Sequence, residues 1–147
     1  MSQYQNNLEL FRYLCLSDAK TEYINQASNG NTVHMSFDDR LSLILMAEKN
    51  QRTNRRIKRK FKESHLKFMV SEHDFIFEES NRGITKSQLA ELCQLNFIKY
   101  NKNLAVTGKT GVGKTYLLHL VAYSAIKANL TVRYHRLSAL LELISIN

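Results

Sequence analysis

Residues 108–115 read Gly-Lys-Thr-Gly-Val-Gly-Lys-Thr. The run fits G-x-x-x-x-G-K-[ST], a loop whose main chain wraps phosphate groups. Each fixed position has a physical task. Gly108 and Gly113 permit backbone angles that other residues resist, and they let the chain approach an anion closely. The N–H groups of Lys109, Thr110, Gly111, Val112 and Gly113 can then form a nest around it. Lys114 has the reach for β- and γ-phosphates, and the Thr115 hydroxyl is a ligand for Mg²⁺. A helix starting here directs the positive end of its dipole at the same charge.

The flanking residues supply a context. Asn103, Leu104, Ala105, Val106 and Thr107 form a short apolar run that suits a buried strand. Tyr116, Leu117, Leu120, Val121, Ser124 and Ala125 then recur at helical spacing. Leu130, Thr131, Val132, Arg133 and Tyr134 read as a second strand, which makes a βαβ unit. Ser138 is placed to cap a last helix holding Leu140, Leu141, Leu143 and Ile144. A glycine-rich turn without a ligand is the plain alternative for 108–115. The order strand, loop, helix argues for phosphate.

The N-terminal half reads differently. Leu8, Leu10, Phe11, Leu14 and Leu16 suggest a short helix, and Tyr23, Ile24 and Ala27 continue in helical character until Asn29-Gly30-Asn31. Ser36 followed by Asp39 resembles a capping box with Asp in place of Glu. A long helix is expected from about Phe37 to about Glu63, with Leu41, Ile44 and Leu45 and then Ile57 and Phe61 on its apolar face. Residues 73–77 suit a strand or an extended linker, 78–83 a polar loop, and 84–95 a helix. The expected fold class is α/β. A basic helical module over 1–70 precedes a partial P-loop nucleotide-binding module over 71–147.

The chain of 147 residues is 44% hydrophobic, enough for a core. It has no apolar run long enough to cross a bilayer, and its first residues do not resemble a signal peptide. Cys15 and Cys93 lack paired spacing and suit buried thiols in a reducing cytoplasm. The five histidines are scattered without metal-ligand spacing. The net charge of +8 is concentrated between Arg40 and Lys62, where nine basic residues face Glu48 alone. A local block of this kind implies a polyanionic partner. Arg52, Arg55, Arg56, Lys58, Arg59, Lys60 and Lys62 are the candidate contacts to DNA phosphates, which carry no sequence information. A solvated helix face or an acidic protein partner would use the same residues.

Several stretches together resemble the IstB-type ATP-binding proteins, transposition helper ATPases of the AAA+ class related to DnaC-type helicase loaders. They are Ser36-Phe37-Asp38-Asp39-Arg40-Leu41, Glu48 with Asn54-Arg55-Arg56, Asp74-Phe75-Ile76-Phe77, Gly111-Val112-Gly113-Lys114-Thr115-Tyr116-Leu117 and Val132-Arg133-Tyr134. The resemblance implies binding of ATP with Mg²⁺, self-assembly on DNA and pairing with a transposase. It also implies that Phe75 to Phe77 lie near the adenine, with core packing as the competing reading. Lys109-Thr110 stand where relatives commonly carry proline. After Thr115 the one acidic residue is Glu142, within a predicted helix, so the apolar strand ending in Asp-Glu that hydrolysis needs is absent. A module truncated after its second strand is expected, with exposed strand edges and marginal stability. The second reading is a loader-like module that docks on a helicase or transposase, with nucleotide incidental. An apolar exposed face on residues 8–27 would favour it.

Overall fold

The computed structural model describes residues 2–32, 34–70 and 84–145. The expectations for 71–83, including those for Phe75 and Phe77, lie outside the described residues. Seven α-helices are present among them: α1 Gln3–Tyr13, α2 Ser17–Ser28, α3 Phe37–Glu63, α4 Lys86–Cys93, α5 Asn96–Lys99, α6 Lys114–Lys127 and α7 Leu137–Ser145. The chain forms two compact units, Met1–Arg56 and Ile57–Asn147. The division falls inside α3, where the sequence reading set it at about residue 70. The limits of α3 match those read from its spacing.

The first unit is organised by a buried carboxylate. α2 begins after Leu16, which has no side-chain oxygen to cap the first turn. The unpaired N–H groups of Asp18 and Ala19 instead donate to Glu48 Oε2 of α3, at 3.0 and 3.1 Å. Arg52 Nε, one turn further along α3, donates to the other oxygen of Glu48 at 2.7 Å. Glu48 is buried. Burial alone would push its carboxyl up. The hydrogen bonds from Arg52, Ala19 and Asp18 outweigh that and hold it below the usual carboxylate range. Around this contact Arg55 pairs with Asp18 at 2.5 Å, and Arg52 Nη2 donates to the Cys15 carbonyl at 3.1 Å. Ser36 starts α3 as expected, its hydroxyl oxygen accepting from the Asp39 N–H at 3.2 Å.

The second unit is built on α6. Val70, Leu89, Leu95, Leu117, Leu120, Val121 and Ala125 form its core. Leu120 is wholly buried, and truncating such a residue typically costs about 2–5 kcal/mol. α4 packs on α6 and is held at its start by a reciprocal capping box between Thr85 and Gln88. The C-terminal turns of α3 brace the far end of α6. Lys60 Nζ donates to the Asn129 carbonyl, where a cation favours the negative end of a helix. Phe61 meets Tyr123 edge-on at 6.1 Å.

Several expectations are corrected. Residues 103–107 and 130–134 form no strand, and no strand occurs among the described residues. Apolar sequence alone does not make a ladder, which requires a paired neighbour. Among the described residues, the Tyr134 N–H donates to the Ser64 carbonyl at 2.8 Å. The described part is therefore helical, and the α/β class is not seen in it. The last helix begins at Leu137, so Ser138 lies within it. Cys15 is exposed and Cys93 half-buried, neither in a disulfide, where buried thiols were expected. Leu41 and Leu45 are exposed, and Ile44 alone of that trio is in the core.

Glu48→Gln removes the charge that holds the start of α2, and is expected to cost about 1–3 kcal/mol at neutral pH. Because the folded carboxyl is held low, its contribution is present above the ordinary carboxylate range and lost as pH falls through the lowered value. Hydrogen exchange of the Asp18 and Ala19 amides, followed from about pH 7 to about pH 3, should show the two proteins converging in acid. A constant gap would assign the loss to packing.

Candidate functional site

The 108–115 loop is shaped by three glycines at positive φ. Gly108 has φ 153°, Gly111 φ 87° and Gly113 φ 91°. A Cβ at Gly111 or Gly113 would meet nothing within 4 Å, so what excludes other residues there is backbone conformation. Gly113 is the residue that α6 starts from, and no side chain caps the helix. The first turn of α6 therefore turns its N–H end toward the loop without a side-chain acceptor of its own. That arrangement suits an anion.

Lys114 crosses the loop. Its Nζ donates to the carbonyls of Gly108 at 2.8 Å and Lys109 at 2.6 Å. The ammonium is thus kept beside the turn of the loop. Thr115 is exposed at the same end of α6. Its carbonyl accepts from His119 Nδ1 at 2.8 Å. His119 is wholly buried. Its ring stacks on Phe68 at 4.5 Å and leans on Tyr134 at 5.0 Å, while Nε2 has no hydrogen-bond partner. The histidine thus secures the turn that carries Thr115 to the interior. The contact is structural, and the scattered spacing of the histidines does not foretell it.

A cleft of about 510 Å³ opens beside the loop, walled by Leu104, Val106, Phe97 and Leu117, with Gln88 and Glu91 from α4. The loop residues Val112, Gly113 and Lys114 line its other side. No group of three or more His, Cys, Asp or Glu suited to hold a metal occurs among the described residues. Thr115 thus offers a single hydroxyl, which fits Mg²⁺ arriving with a nucleotide, since that ion takes much of its coordination from phosphate oxygens and water.

The basic residues of α3 divide into two sets. Arg52 and Arg55 are committed to Glu48, the Cys15 carbonyl and Asp18. The Nε of Arg56 is buried without a partner, and Lys60 braces Asn129. Lys49, Lys58 and Lys62 are exposed, the last two one turn apart, and Arg59 is exposed with only a 3.9 Å approach to Glu63. Acidic partners from outside the basic run therefore relieve part of it. Asp18 is distant in sequence, and no periodicity within α3 reveals it. No helix among the described residues is long and apolar enough to cross a membrane.

Residues 8–147 match the family of IstB-like ATP binding proteins. A protein of Pseudomonas fluorescens named as an ATP-binding protein of insertion sequence IS1162 is 32% identical over 108 residues, which is 74% of this chain and 47% of the relative. A protein of Sinorhizobium fredii (strain NBRC 101917 / NGR234) named as an insertion-sequence ATP-binding protein, y4uH, is 27% identical over 135 residues, 92% of this chain and 54% of the relative. The chain spans about half the length of these curated relatives.

Gly113→Ala forces a side chain into the left-handed region and is expected to destabilise the second unit by about 1–2 kcal/mol. Gly30→Ala, at a position without positive φ and with open space around it, should stay within about 0.5 kcal/mol. Denaturant unfolding of both variants checks this, and equal losses would remove the conformational argument.

Proposed function

Because the chain belongs to the family of IstB-like ATP binding proteins, we propose that residues 108–115 hold the phosphates of ATP. The wider reading is action in the cytoplasm with DNA and a transposase during movement of an insertion sequence, including self-assembly on DNA. The observation that carries the nucleotide site is the pair of left-handed glycines, Gly111 and Gly113, leading into a helix without a side-chain cap. In this reading the N–H groups of Gly108, Lys109, Thr110, Gly111, Val112 and Gly113 face the phosphates. Lys114 exchanges its bonds to the Gly108 and Lys109 carbonyls for phosphate oxygens, so little new ordering is needed. Thr115 gives its hydroxyl to Mg²⁺, which supplies charge neutralisation when bound. The proposal is one of binding, and no hydrolytic carboxylate forms part of it.

DNA contact falls chiefly to Lys58, Arg59 and Lys62, exposed cations clustered in the last turns of α3. Arg52, Arg55 and Lys60 support the fold first, and Arg56 is half-buried. Exposed cations confer affinity through counterion release and give sequence-tolerant binding. A loader-like docking module is a second reading, favoured by an apolar groove in the first unit.

Lys114→Ala should abolish detectable MgATP binding in calorimetry while leaving DNA affinity unchanged in the absence of nucleotide. With a duplex of about 20 base pairs, neutralising Lys58 and Lys62 to Gln should lower the salt slope of binding by about one per lysine. Arg52→Gln should instead lower the stability of the first unit and leave that slope in place. A slope insensitive to Lys58 and Lys62 would assign the basic face to a protein partner.

A further inference from the structure

The three helices of the first unit each turn an apolar stripe toward one groove of about 560 Å³. Leu10 and Leu14 come from α1 and the turn after it, Tyr23 and Ala27 from α2, and Leu41 and Leu45 from α3. The spacing is that of a helix face packed on a core, yet the groove is open. Leu10 is 49% exposed, Leu14 57%, Leu45 56% and Phe37, at its end, 69%. Large apolar side chains left together in water mark an interaction surface. The floor is ordered. Tyr23 stacks on Tyr4 at 5.5 Å and tilts against Phe11 at 5.4 Å.

One charged side chain lines the groove, that of Arg40. The residue is half-buried, so its positive charge stands at the groove wall, where the carboxylate of an incoming partner would pair with it.

We propose that this groove binds an amphipathic helix of a partner protein, one that presents leucine-type side chains at i, i+3, i+4 and i+7 and a carboxylate to Arg40. A groove formed between helices, with apolar stripes on its walls, takes a helical ridge better than an extended strand, which would seek a sheet edge. A second copy is disfavoured on charge. Groove against groove would bring two Arg40 side chains together across a two-fold axis. α7 of another copy offers Leu137, Leu141 and Ile144, all exposed, but its spacing sets Glu142 on the far side of the helix from them. The partner therefore supplies the acid on the same face as its leucines. The inference does not depend on nucleotide binding in the second unit.

The test uses the full chain and a fluorescent synthetic helix with leucines at i, i+3, i+4 and i+7 and one flanking glutamate, read by anisotropy. Binding is expected, with about tenfold loss when the peptide glutamate becomes glutamine. Leu14→Gln and Leu45→Gln, at exposed positions whose substitution spares the core, should each weaken binding about tenfold without lowering the melting temperature. A lysine peptide should bind worst to the native chain and regain affinity for Arg40→Glu. If Arg40→Glu does not fold, the glutamate-to-glutamine comparison on the native chain still decides. Equal affinity of the two peptides, indifference to Leu14→Gln and Leu45→Gln, or self-association abolished by those same substitutions would each overturn the proposal.

Discussion

The first turn of α6 starts from Gly113 at φ 91°, and the second unit depends on that one backbone conformation. A left-handed residue at this point bends the chain sharply out of the 108–112 loop into a helix whose first N–H groups gain no side-chain cap. The same helix buries Leu117, Leu120, Val121 and Ala125, so the element that begins at the loop is also the centre of the core. Packing fixes the helix, and the helix fixes the direction of its dipole. His119 ties the two roles together, because its ring is held by Phe68 and Tyr134 and its Nδ1 holds the Thr115 carbonyl.

Charge is used in a similarly divided way on α3. Glu48 replaces the cap that α2 lacks and draws Arg52 into the same contact. A carboxylate that is both buried and accepting from several donors stabilises only while every partner is present. Arg55 and Lys60 each satisfy a group on another segment, Asp18 and the Asn129 carbonyl. Lys49, Lys58, Arg59 and Lys62 remain exposed, with no ion pair among the described residues shorter than the 3.9 Å from Arg59 to Glu63. The charge of the run as a whole overstates the number of cations free to meet phosphate.

The features legible in sequence are those set by short-range spacing. The 108–115 loop, the limits of α3 and the course of α6 all follow from residues that are neighbours in the chain. The capping role of Ser36 was legible for the same reason. What could not be read depends on distant partners. Nothing near Asp18 announces Arg55, and nothing near Leu41 and Leu45 tells that they line an open groove instead of a closed core. The apolar runs at 103–107 and 130–134 have strand composition, but pairing is a property of neighbours, and among the described residues none pairs with them in a ladder.

The central question is whether the loop takes phosphate through its main chain. Amide chemical shifts of the full chain, followed by NMR during titration with MgATP and separately with adenosine, address it directly. Phosphate held by the loop predicts large shifts at Lys109, Gly111, Gly113, Lys114 and Thr115 with MgATP and almost none there with adenosine. Equal shifts with both ligands, or MgATP shifts confined to residues away from 108–115, would contradict a phosphate seat in this loop.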